Sequence, residues 1–122
     1  MNKITFLGCG SWGGALGLAL ANKGMDVTMW HRNPEIVQKL SNTRKHYLVP
    51  SLIFPKSVTF TSSIDDAVLD ASIVIIAVPS PAIRDLLKSH KDVFLNNQII
   101  VNVSKGIEID TLMTVSEVIA DV

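Results

Sequence analysis

Short runs rich in branched apolar residues recur along the chain at positions 4–7, 27–30, 58–61, 73–78 and 99–103, and each reads as a β-strand. The fourth and fifth runs are almost continuously apolar, the pattern of strands covered by helices on both faces. The intervals between runs are long enough for crossover helices, so the strands are expected to lie parallel. The helices are marked by spacing and by start and stop signals. Ala15, Leu16, Ala19 and Leu20 make one apolar face that ends at Gly24. Asn33 with Pro34 predicts an N-cap and first helical residue, with Ile36, Val37 and Leu40 on the buried side. Ser63, Asp65 and Asp66 open a helix packed through Ala67, Val68 and Ala71, and Ser80 with Pro81 opens another through Ile83, Leu86 and Leu87. A last helix is expected from near Thr111, carrying Leu112, Val115, Val118, Ile119 and Val122 at helical spacing. Positions 41–56 have no clean period and contain Pro50 and Pro55. Because Tyr47, Leu48 and Phe54 need somewhere to pack, an ordered loop is predicted there rather than a linker. No internal repeat or low-complexity segment interrupts the series.

The pattern therefore predicts one α/β unit, a doubly wound parallel sheet with helices on both faces. Composition agrees: 122 residues, 48% hydrophobic and 18% charged, suit a single globular domain rather than a disordered chain. Eleven basic and eleven acidic residues leave no long-range field for nucleic acid or an anionic membrane, so any phosphate recognition must be local. One cysteine cannot form an internal disulfide, and with three scattered histidines it gives no metal-ligand spacing, which reads as cytoplasmic and metal-free. The apolar first 21 residues lack a basic leader and carry five glycines between Gly8 and Gly17, a pattern suited to a phosphate loop and not to a signal peptide or bilayer span.

Gly8-Cys9-Gly10-Ser11-Trp12-Gly13 follows the first strand directly and opens the first helix. In a strand-turn-helix-strand unit, Gly8 permits the tight turn, Gly10 lets the backbone approach a pyrophosphate, and Gly13 lets the helix pack close to the sheet. The helix N-terminus then offers unpaired N–H groups and the positive end of its dipole to phosphate. Dinucleotide binding is the expectation. A turn kept for packing alone, or one serving FAD or S-adenosylmethionine, remains open on these residues. Ser11 reads equally as an ordinary N-cap or as a phosphate contact, and Trp12 as a packing residue or as part of the phosphate loop.

At the end of the second strand, where NAD-binding chains usually place an acidic residue for the ribose hydroxyls, this one has His31 and Arg32. Arg32 can pair with a 2′-phosphate and His31 can add a donor, which favours NADP. A solvated Arg32 would leave the preference open, and stacking on adenine would admit both coenzymes. Two further segments occupy strand tips where ligands of such sheets bind. Ala77-Val78-Pro79-Ser80-Pro81 either lines the coenzyme through its backbone at Pro79 or is a plain turn. Lys105 either holds a phosphate or polarises a carbonyl, or is a solvated surface charge.

The glycine turn, Trp30-His31-Arg32-Asn33, Tyr47-Leu48-Val49-Pro50, Ala77-Val78-Pro79-Ser80 and Ser104-Lys105-Gly106-Ile107-Glu108 occur in one order. In that order the chain resembles the N-terminal coenzyme domain of bacterial NAD(P)-dependent glycerol-3-phosphate dehydrogenases, over essentially all 122 residues. The resemblance implies a Rossmann-type sheet, with hydride transfer between NAD(P)H and the C2 carbonyl of dihydroxyacetone phosphate. The product would be sn-glycerol 3-phosphate for glycerophospholipid synthesis. It implies coenzyme contacts from Ser11, Trp12, His31 and Arg32, and a contact from Lys105 to both coenzyme and substrate. Members of that family continue into a helical C-terminal domain that supplies a second lysine, the expected general acid. Residues 1–122 are accordingly expected to form an incomplete coenzyme domain, truncated before the helical one and inactive alone; a homodimer is admitted but not specified. Two other readings are a non-catalytic NAD(P)-binding module and a related dehydrogenase acting on a different hydroxy acid.

Overall fold

The computed structural model describes residues 3–78, 85–86, 88 and 98–102. Within them the chain runs β1 (Lys3–Leu7), α1 (Ser11–Asn22), β2 (Asp26–Trp30), α2 (Pro34–Thr43), β3 (Thr59–Thr61), α3 (Ile64–Val68), β4 (Ala71–Ile76) and β5 (Ile99–Asn102). The described strands form one sheet in the order β3-β2-β1-β4-β5, every pairing parallel. The chain steps outward from β1 in one direction, then crosses back to its other side at β4. That reversal is the topological switch of a Rossmann-type doubly wound sheet, as expected.

Alternation along the central strands builds two cores. Ile4 and Phe6 of β1, Val27 and Met29 of β2, and Ile75 of β4 join Ala21 of α1, Leu40 of α2, Phe54, Val58 and Phe60 on one face. Leu7, Trp30, Val74 and Ile76 join Ile64, Ala67 and Val68 of α3 on the other, with Leu86 packed against them. Thr5 is buried on that second face, where its hydroxyl donates to the Ala67 carbonyl. Trp30 lies there too, its indole N–H donating to the Ser62 carbonyl at 3.0 Å.

The helix signals operate as local chemistry predicts. The Asn33 side chain accepts from Glu35 N–H with Pro34 at the first helical position, and Ser63 accepts from Asp66 N–H. α1 stops through paired bonds from Gly24 N–H to Ala21 and from Met25 N–H to Leu20, with Gly24 at φ +86°.

Several boundaries and faces differ from expectation. On α1 Leu16 and Leu20 pack against the core as expected, though only partly buried, but Ala19 is exposed, and the fully buried positions are Gly13, Gly14, Gly17 and Ala21. A Cβ on Gly17 would meet the Met29 side chain at 2.9 Å, so the close approach of helix to sheet selects the small residues. α3 is only five residues long, because Leu69 caps it and Asp70, at φ +61°, turns the chain directly into β4. Ala71 is thus the first residue of β4 and not part of the α3 face. The short helix is held at its carboxyl end by Lys3, which donates to Asp66 and Leu69, and by Gln98, which donates to Val68 and Ala71. α2 extends through Thr43, and Arg44 ends it at φ +59°. The following loop closes on itself by the Lys45–Ile53 bridge, burying Phe54 but leaving Leu48 exposed. β5 stands at one edge of the described sheet with Ile99, Ile100 and Val101 exposed, so the expected cover on both faces is not seen among described residues. Val103, Ser80, Pro81 and the helix expected from Thr111 lie outside the described residues.

Candidate functional site

The carboxyl ends of β1, β2 and β4 are drawn together by two backbone bonds, Gly8 N–H to Trp30 O and Ala77 N–H to Leu7 O, both 3.0 Å. In the crevice above them the glycine turn passes into α1. Its glycines answer different demands. Gly8 has φ +120°, and a Cβ there would stand 2.6 Å from the Ala77 carbonyl oxygen, so both conformation and space require glycine. Gly13 carries α1 against the same residue: a Cβ would lie 3.1 Å from both Ala77 Cβ and the Gly8 carbonyl oxygen. Gly10 has φ −72°, which any residue adopts, and among the described residues, its two chain neighbours aside, no atom lies within 4 Å of where its Cβ would be. Among the described residues nothing calls for glycine at that position, and the backbone there is open to a group from outside the turn.

Gly10 is itself the N-cap of α1, without a side-chain cap, which replaces the reading of Ser11 as N-cap. Ser11 is the first helical residue and Trp12 the second. The first turn of the helix contains no acidic residue, leaving its N–H groups and dipole free to meet an anion.

Beneath the turn lies His46, a residue that the sequence pattern does not single out. It is buried, and its Nδ1 accepts from the Leu48 and Val49 N–H groups at 3.0 and 3.1 Å. With Nδ1 an acceptor, the proton resides on Nε2, which is shared between the Cys9 and Gly10 carbonyl oxygens at 3.0 and 3.1 Å. The ring fits because residue 14 is glycine, since a Cβ there would approach His46 Cδ2 to 2.6 Å. The only local hint is that position 46 falls in a loop already expected to pack inward.

His46 stacks on Tyr47 at 4.7 Å between centroids, and the Tyr47 ring meets His31 edge-on at 5.3 Å. His31 N–H donates to Thr61 O, and its Nδ1 accepts from Asn33 N–H at 3.0 Å, which leaves the ring proton on Nε2 as a donor. Burial, reinforced by the neighbouring Arg32 guanidinium and by His46, holds the His31 pKa below its ordinary value. Arg32 beside it is exposed, and among the described residues its guanidinium has no hydrogen-bond or ion-pair partner. Tyr47, by its burial and the neighbouring Cys9, has its phenol pKa raised.

Cys9, inside the turn, is buried beside Met29 Sδ at 3.9 Å, and burial pushes its thiol pKa up to about 12. It is therefore a packing residue and not a nucleophile. A separate open hollow of about 490 Å³ lies at the opposite, amino ends of the strands, between Ser41, Asn42, Arg44, Lys56, Val58, Thr59 and Phe60. Arg44 is committed there to the Pro55 and Val58 carbonyls and covers the Phe60 ring. Among the described residues no cluster of three His, Cys, Asp or Glu could hold a metal, and no helix is long and apolar enough to cross a membrane.

The structure thus brings Gly8, Gly10, Gly13, His31 and Arg32 to one crevice, with the backbone of Ser11 and Trp12. Pro79 and Lys105 lie outside the described residues.

Residues 3–122 match the family described as the N-terminus of NAD-dependent glycerol-3-phosphate dehydrogenase. A glycerol-3-phosphate dehydrogenase (NAD(P)+) of Lactobacillus delbrueckii subsp. bulgaricus is 45% identical over 121 residues, covering 99% of this chain and 36% of that protein. One from Chlorobium phaeobacteroides is 47% identical over 122 residues, covering 98% and 36%. In three dimensions the chain is similar to the crystal structure of glycerol-3-phosphate dehydrogenase from Coxiella burnetii, with a TM-score of 0.91 at 26% identity, over 98% of this chain and 37% of that one. The chain spans 36% of the length of the curated relatives it matches.

Proposed function

The chain belongs to the family formed by the N-terminal part of NAD-dependent glycerol-3-phosphate dehydrogenases, and from that premise we propose that it is the coenzyme-binding part of an oxidoreductase. That enzyme would reduce dihydroxyacetone phosphate to sn-glycerol 3-phosphate with NAD(P)H, as the relatives' names imply, and feed glycerophospholipid synthesis in the cytoplasm. The observation that carries the coenzyme half of this reading is Gly10, a glycine at the N-terminus of a twelve-residue helix for which the described residues give no steric or conformational reason. A dinucleotide pyrophosphate supplies the reason: it needs backbone N–H donors and a surface without Cβ atoms.

In this reading the N–H groups of Gly10, Ser11 and Trp12 hold the pyrophosphate. Gly8 and Gly13 keep turn, helix and β4 end close enough to shape the crevice. Arg32 pairs with a 2′-phosphate, and His31, neutral by its lowered pKa, offers Nε2–H beside it. An uncommitted guanidinium at that position supports a preference for NADPH over NADH. The coenzyme, when bound, supplies the hydride. Pro79 lines it and Lys105 contacts both coenzyme and substrate, roles proposed from sequence position alone. Orienting a carbonyl and polarising it are two tasks, more than Lys105 can perform by itself, so the 122-residue chain is expected to bind coenzyme without turning substrate over.

Calorimetric titration of the chain with NADPH and NADH, with an assay of dihydroxyacetone phosphate reduction on the same sample, tests this. The expected result is binding, tighter for NADPH, without turnover. Failure to bind either nucleotide would overturn the coenzyme reading.

A further inference from the structure

We infer that His46 is a positioning residue that sets the orientation of the phosphate-binding peptides of the glycine turn, acting from the loop that follows α2. The inference rests on the coenzyme reading above and deepens it. The geometry is specific. In a planar trans peptide the C=O and the following N–H point in opposite directions. By drawing the Cys9 and Gly10 carbonyls onto one Nε2–H, His46 turns the Gly10 and Ser11 N–H groups the other way, out of the protein at the N-terminus of α1. Without that donor the carbonyls lose a fixed partner, and either peptide can rotate to place an oxygen where a phosphate must sit.

Three observations besides the bond lengths support the assignment. Nδ1 is saturated by Leu48 and Val49 N–H, so the tautomer that donates to the turn is enforced by the loop itself. Gly14 leaves the space that the ring occupies, at a position where a Cβ would reach 2.6 Å from Cδ2. The Gly10 carbonyl also accepts the first bond of α1, from Gly14 N–H at 2.7 Å, so the helix start and the His46 bond fix the same peptide. The two nitrogens thus have separable duties. Nδ1 organises the 46–49 turn and Nε2 organises the glycine turn.

Two substitutions separate those duties. In His46→Asn the side-chain oxygen stands where Nδ1 was and can accept from Leu48 and Val49, but nothing reaches the glycine turn. In His46→Gln the amide NH2 reaches the place of Nε2 and can donate to Cys9 and Gly10, while the 46–49 turn loses its acceptor. The Asn variant is expected to lose about tenfold or more in NADPH affinity, the scale of one or two lost hydrogen bonds. It should also lose amide protection at Gly14, whereas the amide of Gly8, bonded to Trp30, stays protected. The Gln variant is expected to regain most of the affinity and the Gly14 protection while unfolding at lower urea. A third variant, Gly14→Ala, should resemble His46→Asn because its methyl displaces the ring.

If His46→Asn kept both affinity and Gly14 protection, or if the Asn and Gln variants lost affinity equally in step with their loss of stability, the positioning role would be overturned. Should the unaltered chain fail to bind NADPH, the coenzyme reading falls on its own. Gly14 protection in the two variants would still decide whether His46 fixes the turn.

Discussion

The ends of β1 and β2 lie side by side in the sheet but are organised in opposite ways. After β1 the glycine turn is fixed from within: Gly8 is wedged under Ala77, Gly13 is pressed against it, and two carbonyls are held by His46. After β2, His31 is held through its Nδ1 and backbone, but Arg32 is exposed and without a partner among the described residues. A pyrophosphate is recognised by backbone groups, which work only if their peptides are oriented before the ligand arrives. A 2′-phosphate can be met by one long cation that orders on binding. On the proposed reading, the fixed turn serves recognition by main chain and the exposed arginine serves recognition by side chain.

The sharpest way to break this comparison is to add one methyl at two glycines of the same turn. Gly8→Ala is expected to cost roughly 2–4 kcal/mol of stability, from a left-handed φ and a carbonyl in the way. Gly10→Ala should stay within about 0.5 kcal/mol of the unaltered chain, yet bind NADPH far more weakly. Urea unfolding and calorimetry on the two variants decide it, and similar stability losses in both would mean that Gly10 is structural after all.

Arg32→Ala should weaken NADPH by roughly 10- to 100-fold, the range of a charge-assisted bond to phosphate, while NADH binding changes little. Equal losses for the two coenzymes, measured on one sample, would remove the 2′-phosphate assignment. Asn33→Ala sits one residue on and is expected to lower stability by about 1 kcal/mol through the lost α2 cap. The NADPH to NADH ratio should hold, since His31 is bonded by the Asn33 main chain and not its side chain.

The smallest effect concerns pH. The His31 pKa is lowered in the folded state, so above its ordinary value near 6.5 both folded and unfolded chains are neutral there and contribute no pH dependence. As pH falls below that value the unfolded chain takes up a proton that the folded one resists, and stability declines until the lowered folded value is passed. A urea series across that range should show the decline in the unaltered chain and a shallower one in His31→Gln.

Much of this was legible in the linear pattern because its causes are local. Branched runs mark strands wherever they occur, and Asn33-Pro34 and Ser63 cap helices with atoms two or three residues away. The glycine turn, its place between strand and helix, and the paired His31 and Arg32 were readable for the same reason. The α1 face was only partly right: Leu16 and Leu20 reach the core from its flank, while the closest approach to the sheet is made by the glycines and Ala19 faces out. Ala71 was assigned to a helix because its spacing from Ala67 is helical, while Asp70 turns the chain one residue earlier. Leu48 was expected inside by type, but at the tip of its loop it is exposed.

By itself the sequence determined the order of the described elements, the parallel sheet and the place of the glycine turn between β1 and α1, since these follow from periodicity, caps and glycine spacing within a few residues. Only the tertiary structure showed which atoms stand against Gly8 and Gly13 and brought His46 beneath the turn. Those facts depend on contacts between residues 36 or 37 positions apart at the turn, and about 70 apart where Gly8 meets Ala77. At such separations spacing carries no signal, and only close packing, which leaves no room for a misplaced atom, shows which residues meet.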